Sequence, residues 1–212
     1  MFKKLSVLIP VYNEKDTIKK CLDNVLNANI KGMTLEVIVS DNNSNDGTKE
    51  ILNSFNDERV KVFFRDQNNG KGANIKNALK EATGDLILFQ DADLEYSPED
   101  FEFLLEPFFV YEADVVYGSR LTRAKATNII GFPNYIANII LTFLMNLLFN
   151  KIFTDIATGY KVFKKDIIKN LEIISDGFEI EPEITAKISK NKNIKIFEVP
   201  ITINSRTYNE GK

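Results

Sequence analysis

Leu86-Ile87-Leu88-Phe89-Gln90-Asp91-Ala92-Asp93 joins a run of apolar residues to a pair of carboxylates. Gly84-Asp85 breaks the preceding helical pattern, so residues 86–89 are predicted to be a short buried strand. In an extended segment, residues i and i+2 project to the same side, which aims Asp91 and Asp93 at one cation. Glu95 continues the spacing as a third ligand, direct or through water. Such hard oxygen donors, completed by phosphate oxygens, suit Mg2+ or Mn2+. An Asp-x-Asp alone has a plainer alternative: a solvated acidic turn capping a helix that begins near Ser97-Pro98-Glu99-Asp100.

The residues upstream give this strand its setting. Leu5 to Pro10 predicts a buried strand ended by proline, and Ile18, Cys21, Leu22, Val25 and Leu26 predict a helix from about Lys15. Leu35–Val39 and Val60–Phe64 are further strands. Thr48–Phe55 and a segment running through Leu79 and Ala82 are the intervening helices. This alternation predicts an α/β fold with a Rossmann-like, mostly parallel central sheet and helices on both faces. Ligands of such sheets bind beyond the strands' carboxyl ends. Pro10–Glu14, Asp41–Asp46 and Asp91–Asp93 all fall there, on one rim. Downstream, Val115 to Arg120 predicts a strand with a polar end, Phe178–Ile188 a helix and Ile194–Val199 a late strand. The stretch Ile129–Phe153 is rich in Ile, Leu and Phe but interrupted by Pro133, Asn134, Asn138, Asn146, Asn150 and Lys151.

Composition excludes several functions. The 212 residues are 44% hydrophobic and 27% charged, ordinary for a soluble fold, and a net charge of -3 gives no global field for nucleic acid. The absence of histidine removes Ser-His-Asp and Cys-His catalysis and leaves carboxylates as metal ligands and bases. The lone cysteine, Cys21, sits among apolar helix positions and is expected to be a small buried hydrophobe. The chain enters a strand almost at once, so no secretory signal is expected and a cytoplasmic location is. No segment reaches the roughly 20 uninterrupted apolar residues of a spanning helix.

Further candidates lie on the same rim. Asp41 is positioned to accept hydrogen bonds from a base or ribose, whereas Asp46-Gly47-Thr48 supplies mainly a helix cap and tight turn. Tyr12 offers a face for stacking on a nucleobase. Glu14 is either an acceptor for a sugar or base, or a first-turn acid of the following helix. Asn69-Gly70-Lys71-Gly72 offers backbone N–H groups and a cation before a helix, an arrangement that holds anions but lacks the spacing of an ATPase phosphate loop. Arg120, after Gly118-Ser119, suits a phosphate or carboxylate, with a plain salt bridge as the alternative.

With these residues in place the chain resembles the family-2 inverting glycosyltransferases of the GT-A fold. Within them it looks most like the dolichol-phosphate mannose synthase and bacterial polyprenyl-phosphate glycosyltransferase branch. The matching strings are Ile9–Glu14, Ser40–Thr48, Asn69–Gly72, Gln90–Glu95, Gly118–Arg120, Thr158–Phe163, Glu198–Ile201 and Ser205–Tyr208, in family order over essentially the whole chain. One departure is Asn42, where the family often has a second aspartate; another is that such relatives commonly continue beyond the position of Lys212.

The resemblance implies a single catalytic domain over 1–212, with a nucleotide-sugar half (1–120) and an acceptor-side half (121–212). It implies that Pro10, Tyr12, Glu14 and Asp41 contact the nucleoside of a GDP- or UDP-linked sugar, with Lys71 and Ala92 in the same site. Asp91, Asp93 and Glu95 would hold Mg2+ or Mn2+ on the diphosphate, and Arg120 and Arg206 would contact donor or acceptor phosphate. The expected reaction is inverting transfer of a hexosyl group, with Asp93 and Arg120 catalytic. A polyprenyl or dolichyl phosphate arrives already ionised. A saccharide hydroxyl needs a base, for which Glu179, Glu181 and Glu183 are the candidates and Glu181 the choice, the alternative being a helix-start acidic face. Residues 129–153 then have two readings: amphipathic helices on a membrane surface, at the inner face of the cytoplasmic membrane, or a packed helical pair or dimer contact. A nucleotidyltransferase and an inactive nucleotide-sugar-binding scaffold are the rival functions.

Overall fold

The computed structural model describes residues 2–122 and 132–204. Its centre is a seven-stranded sheet in the order β3-β2-β1-β4-β6-β5-β7. The strands are β1 (Lys4–Val11), β2 (Thr34–Asp41), β3 (Val60–Phe64), β4 (Leu86–Phe89), β5 (Val115–Ser119), β6 (Lys161–Lys164) and β7 (Ile196–Pro200). β1 pairs in parallel with β2 and β4, and β2 with β3. β6 alone is reversed: it is antiparallel to both β4 and β5, and β7 lies parallel to β5. The sheet is therefore mostly parallel, as its alternating sequence predicts.

Strand pleating divides the interior in two. Leu5, Val7, Ile9 and Val11 of β1 enter one core, with α1 (Ile18–Leu26) and α4 (Phe101–Val110). Leu8 points into the other, with α3 (Lys71–Glu81) and α7 (Ile180–Lys190). α2 (Thr48–Ser54) and α6 (Lys165–Lys169) complete the smaller helices. α1 starts at Ile18, later than Lys15, because residues 14–17 form a turn in which the Glu14 carbonyl accepts the N–H groups of Thr17 and Ile18. The reversed strand β6 is not visible in periodicity, being four residues long with a lysine at each end.

The apolar stretch after residue 129 forms, among the described residues, one continuous 18-residue helix, α5 (Phe132–Phe149). Pro133 is tolerated because the first turn has no intrahelical acceptor for its missing N–H. Asn138, Thr142 and Asn146, at i, i+4 and i+8, form an inward polar stripe. Asn146 exchanges two hydrogen bonds with the Phe153 backbone, and Asn138 donates to Asp155. Ile140, Phe143, Leu147 and Leu148 are exposed on the other side. No helix among the described residues is long and apolar enough to cross a membrane.

Because β1, β2, β4 and β5 run the same way, their carboxyl ends share a rim. The reversed β6 begins at that rim, which brings Thr158-Gly159-Tyr160-Lys161 beside the strand-end acids.

Candidate active site

Two cavities meet at the rim. One, of about 280 Å³, is lined by Pro10, Tyr12, Glu14, Asn42, Lys71, Asp91, Ala92 and Asp93 among others. The second, of about 620 Å³, is lined by Glu95, Tyr96, Arg120, Asn138, Gly159 and Glu181 with further α5 residues. Lys71, Asp91, Asp93 and the exposed Phe178 border both.

Around the smaller cavity the backbone is tied down by side chains. Asn13 N–H donates to Ser44, Glu14 N–H to Thr48, and Lys15 N–H to Asp46. Asp46 also accepts from the Thr48 N–H and hydroxyl, while the residue immediately before α2 is Gly47. Glu14 lies ahead of α1 rather than in its first turn, and its carboxylate accepts from the Thr17 hydroxyl at 2.5 Å. Asp41 is completely buried behind the cavity wall; one oxygen accepts from Ser44 N–H, and Oδ1 has no hydrogen-bond partner among the described residues. The glycine loop is not an open anion cradle. Asn69 and Gly70 N–H donate to Asn42 and Asn68, Ala73 N–H to the Asp176 carbonyl, and a Cβ on Gly72 would approach the Ser175 carbonyl within 2.6 Å. The glycines admit the 175–177 segment, and Asn68, Gly70 and Lys71 line the cavity.

The acid pair lies in a turn and not in an extended segment. β4 ends at Phe89, Leu94 has φ +63°, and Asp93 Oδ1 accepts from Glu95 N–H at 3.0 Å. This short side-chain-to-backbone closure replaces the expected extended alternation. The helix-cap alternative also falls: the turn at Pro98–Asp100 is capped by Ser97, whose hydroxyl accepts from Glu99 N–H. Asp91 and Asp93 still face common cavities, but Glu95 lines only the larger one. No group of three acidic, histidine or cysteine side chains among the described residues converges to cage a cation. Two hard carboxylates bordering both cavities nevertheless fit Mg2+ or Mn2+, which bind through one or two carboxylates plus substrate phosphates.

Charges alternate across the border between the cavities. Lys71 Nζ lies 2.7 Å from Asp91 Oδ1 and 3.4 Å from Glu181 Oε1. Glu181 Oε2 pairs with Lys161, which is completely buried and also donates to the Thr158 carbonyl. Burial alone would lower the Lys71 pKa, yet Asp91 and Glu181 outweigh it and hold the ammonium well above its ordinary value. Burial wins at Lys161 and lowers its pKa, with Glu181 opposing. Cys21 lies beneath the acids, and burial, reinforced by Asp93, Asp91 and Glu14, pushes its thiol far up. It is an unreactive packed residue.

Arg120 is held by a two-point pair with Asp155, Nε to Oδ2 and Nη2 to Oδ1 each at 2.7 Å, and Asp155 also accepts from the Arg120 N–H. Asn138 of α5 completes the fully buried Asp155 carboxylate at 2.8 Å. The salt bridge therefore exists, and it aims the guanidinium at the larger cavity. Tyr96 accepts from the Gly159 N–H, stacks on Tyr160 at 4.6 Å, and has its hydroxyl pKa pushed up to about 12 by burial.

Residues 6–172 match the sequence profile of Glycosyl transferase family 2. The chain belongs to that family. It is 31% identical to a dolichol-phosphate mannosyltransferase of Pyrococcus furiosus, over 99% of this chain and 59% of the relative. It is 28% identical to a UDP-N-acetylglucosamine–dolichyl-phosphate N-acetylglucosaminyltransferase of Methanococcus voltae, over 94% and 85% of the two chains. The chain thus spans about three-fifths of the first relative's length. Among solved structures, glucosyl-3-phosphoglycerate synthase of Mycobacterium tuberculosis, crystallised with Mn2+, UDP and phosphoglyceric acid, aligns with a TM-score of 0.73 at 20% identity. That alignment covers 98% of this chain and 73% of that one. The fold is GT-A.

In this family-2 chain, Pro10, Tyr12, Glu14, Lys71, Ala92, Asp91 and Asp93 come together at the smaller cavity, and Glu95, Arg120 and Glu181 at the larger. Arg206 lies outside the described residues. Sequence reading passed over Asp155, Lys161, Phe178 and Gly159 as working parts. Gly159 and Lys161 lie inside the Thr158–Phe163 string, Asp155 just ahead of it, and Phe178 just ahead of the Glu179–Glu183 cluster.

Proposed function

We propose that this chain transfers a hexosyl group from a GDP- or UDP-linked sugar to a polyprenyl phosphate, with inversion. The observation carrying the proposal is the meeting of two cavities at Lys71, Asp91 and Asp93, a donor side and an acceptor side joined at a charged border. On the donor side, Tyr12 offers a stacking face, while Asp41 backs the cavity wall, one of its oxygens accepting from the Ser44 N–H. Asp91 and Asp93 would hold Mg2+ or Mn2+ together with the diphosphate oxygens, with Glu95 nearby on the larger cavity. When bound, such a cation supplies positive charge to the departing diphosphate. Arg120, held by Asp155, adds fixed positive charge from the protein itself, and Lys71 adds a second ammonium at the border.

Two features favour a lipid phosphate over a saccharide hydroxyl. Glu181, the candidate base, already has its oxygens directed at Lys161 and Lys71, whereas an ionised phosphate needs no base. The acceptor cavity is walled by α5, whose outer face is apolar, and this supports peripheral contact with a membrane. The test is turnover of Asp93→Ala with Mn2+: loss of at least about a hundredfold is expected, and near-normal turnover excludes the carboxylate assignment.

A further inference from the structure

The fully buried Lys161 has no place in the transfer chemistry above, and neither does the double engagement of Lys71. Asp91, one of the two acids assigned to the cation, has Oδ1 occupied by the Lys71 ammonium at 2.7 Å. Its Oδ2 lies against Gly159, where an added Cβ would collide with it. A second cation on this carboxylate would meet a like charge a few ångströms away. The ammonium has another seat at Glu181 Oε1, 3.4 Å off, which makes an ion pair with Lys71 but no hydrogen bond. Lys161 holds the other oxygen, Oε2, and is itself fixed by the Thr158 carbonyl and set over the Tyr117 ring at 5.0 Å. The ammonium is thus shared unequally between two carboxylates, one facing the donor cavity and one retained by a buried lysine.

We propose that Lys71 is an exchangeable counter-ion of Asp91, with Glu181 its second seat and Lys161 the positioning residue that keeps that seat in place. A divalent cation takes Asp91 only as the Lys71 ammonium turns onto Glu181, on the side of the larger cavity. Because Lys161 already offsets the Glu181 charge through Oε2, the exchange is unfavourable for the cation alone and is driven when diphosphate oxygens arrive with it. Cation and nucleotide therefore bind together, and the site stays neutralised without either. This rests on the metal reading of Asp91 and Asp93 given above.

The experiment is a titration of Mn2+ followed by its electron paramagnetic resonance, without nucleotide and then with UDP or GDP. The wild type is expected to bind Mn2+ weakly alone and at least tenfold more tightly with a nucleoside diphosphate. Lys71→Met is expected to tighten nucleotide-free Mn2+ binding about tenfold. Glu181→Gln, which removes the second seat, is expected to weaken it several-fold, and Lys161→Arg to leave it near wild type. Opposite shifts from two neighbouring charge removals are not what a shared folding defect produces. If Lys71→Met leaves nucleotide-free affinity unchanged or lowers it while the wild type binds Mn2+ with nucleotide, the counter-ion proposal is overturned and the metal reading stands. If the wild type binds no Mn2+ even with nucleotide, the metal reading falls and takes the proposal with it.

Discussion

Gly159 shows how little room the acid site leaves. Its Cα faces the Asp91 carboxylate and its N–H is held by Tyr96, so even a methyl group must displace one of them. Gly159→Ala is expected to fold, since the clash is local, and to lose about 10- to 100-fold in kcat/KM, as a small misplacement of a catalytic group does. Circular dichroism and steady-state kinetics check both halves of that statement. Glu36 marks the opposite end of the sheet chemistry. Burial would raise its pKa, but hydrogen bonds from Ser6, the Thr83 N–H, Lys61 and Lys4 bring it down to about 2, below its unfolded value of 4.5. A carboxyl depressed on folding stabilises the protein above the unfolded pKa and loses that contribution as pH falls through the folded one. Glu36→Gln should therefore cost about 2 kcal/mol at neutral pH, and its gap from wild type should close between about pH 5 and 2 in denaturant melts. A gap independent of pH contradicts the assignment. At this scale the sequence discloses residue types and not partners. Asp91 and Asp93 are recognisable from the apolar run before them, yet the turn at Leu94 depends on which N–H the Asp93 carboxylate finds. Lys161 looks like a strand-edge lysine until α7 brings Glu181 against it.

Among the elements, α5 carries the most consequence. The asparagines that interrupt its apolar pattern share a period of four with Thr142, and they clamp the 153–157 segment that holds Arg120 through Asp155. Their spacing is present in the sequence; the segment they clamp is defined only in three dimensions. The outer residues remain exposed, Phe143 at 63% and Leu147 at 68%. Replacing both by Asp should weaken binding to vesicles containing polyprenyl phosphate by more than tenfold, given about 1.5–3 kcal/mol for each large apolar side chain removed from water. Nucleotide binding should be unchanged. Vesicle flotation and nucleotide titration test this together, and retained flotation removes the membrane role of the helix.

For the whole molecule, the parallel part of the sheet is legible because each strand-helix unit is local, with an apolar run, a polar end and a periodic helix in succession. The reversed insertion of β6 between β4 and β5 is not, since it joins residues far apart in the chain and its four residues carry no distinctive period. That insertion nevertheless matters to the function proposed here, because it brings Gly159 against Asp91 and the buried Lys161 against Glu181. The central claim is that these cavities serve a nucleotide sugar and a lipid phosphate. It is tested most directly by incubating the protein with GDP- and UDP-linked hexoses and Mn2+, offering polyprenyl phosphate or a free saccharide, and reading the products by mass spectrometry. The account predicts a hexosyl polyprenyl phosphate, formed with Mn2+ and lost with a chelator. A glycosylated saccharide with the lipid phosphate left untouched would contradict it.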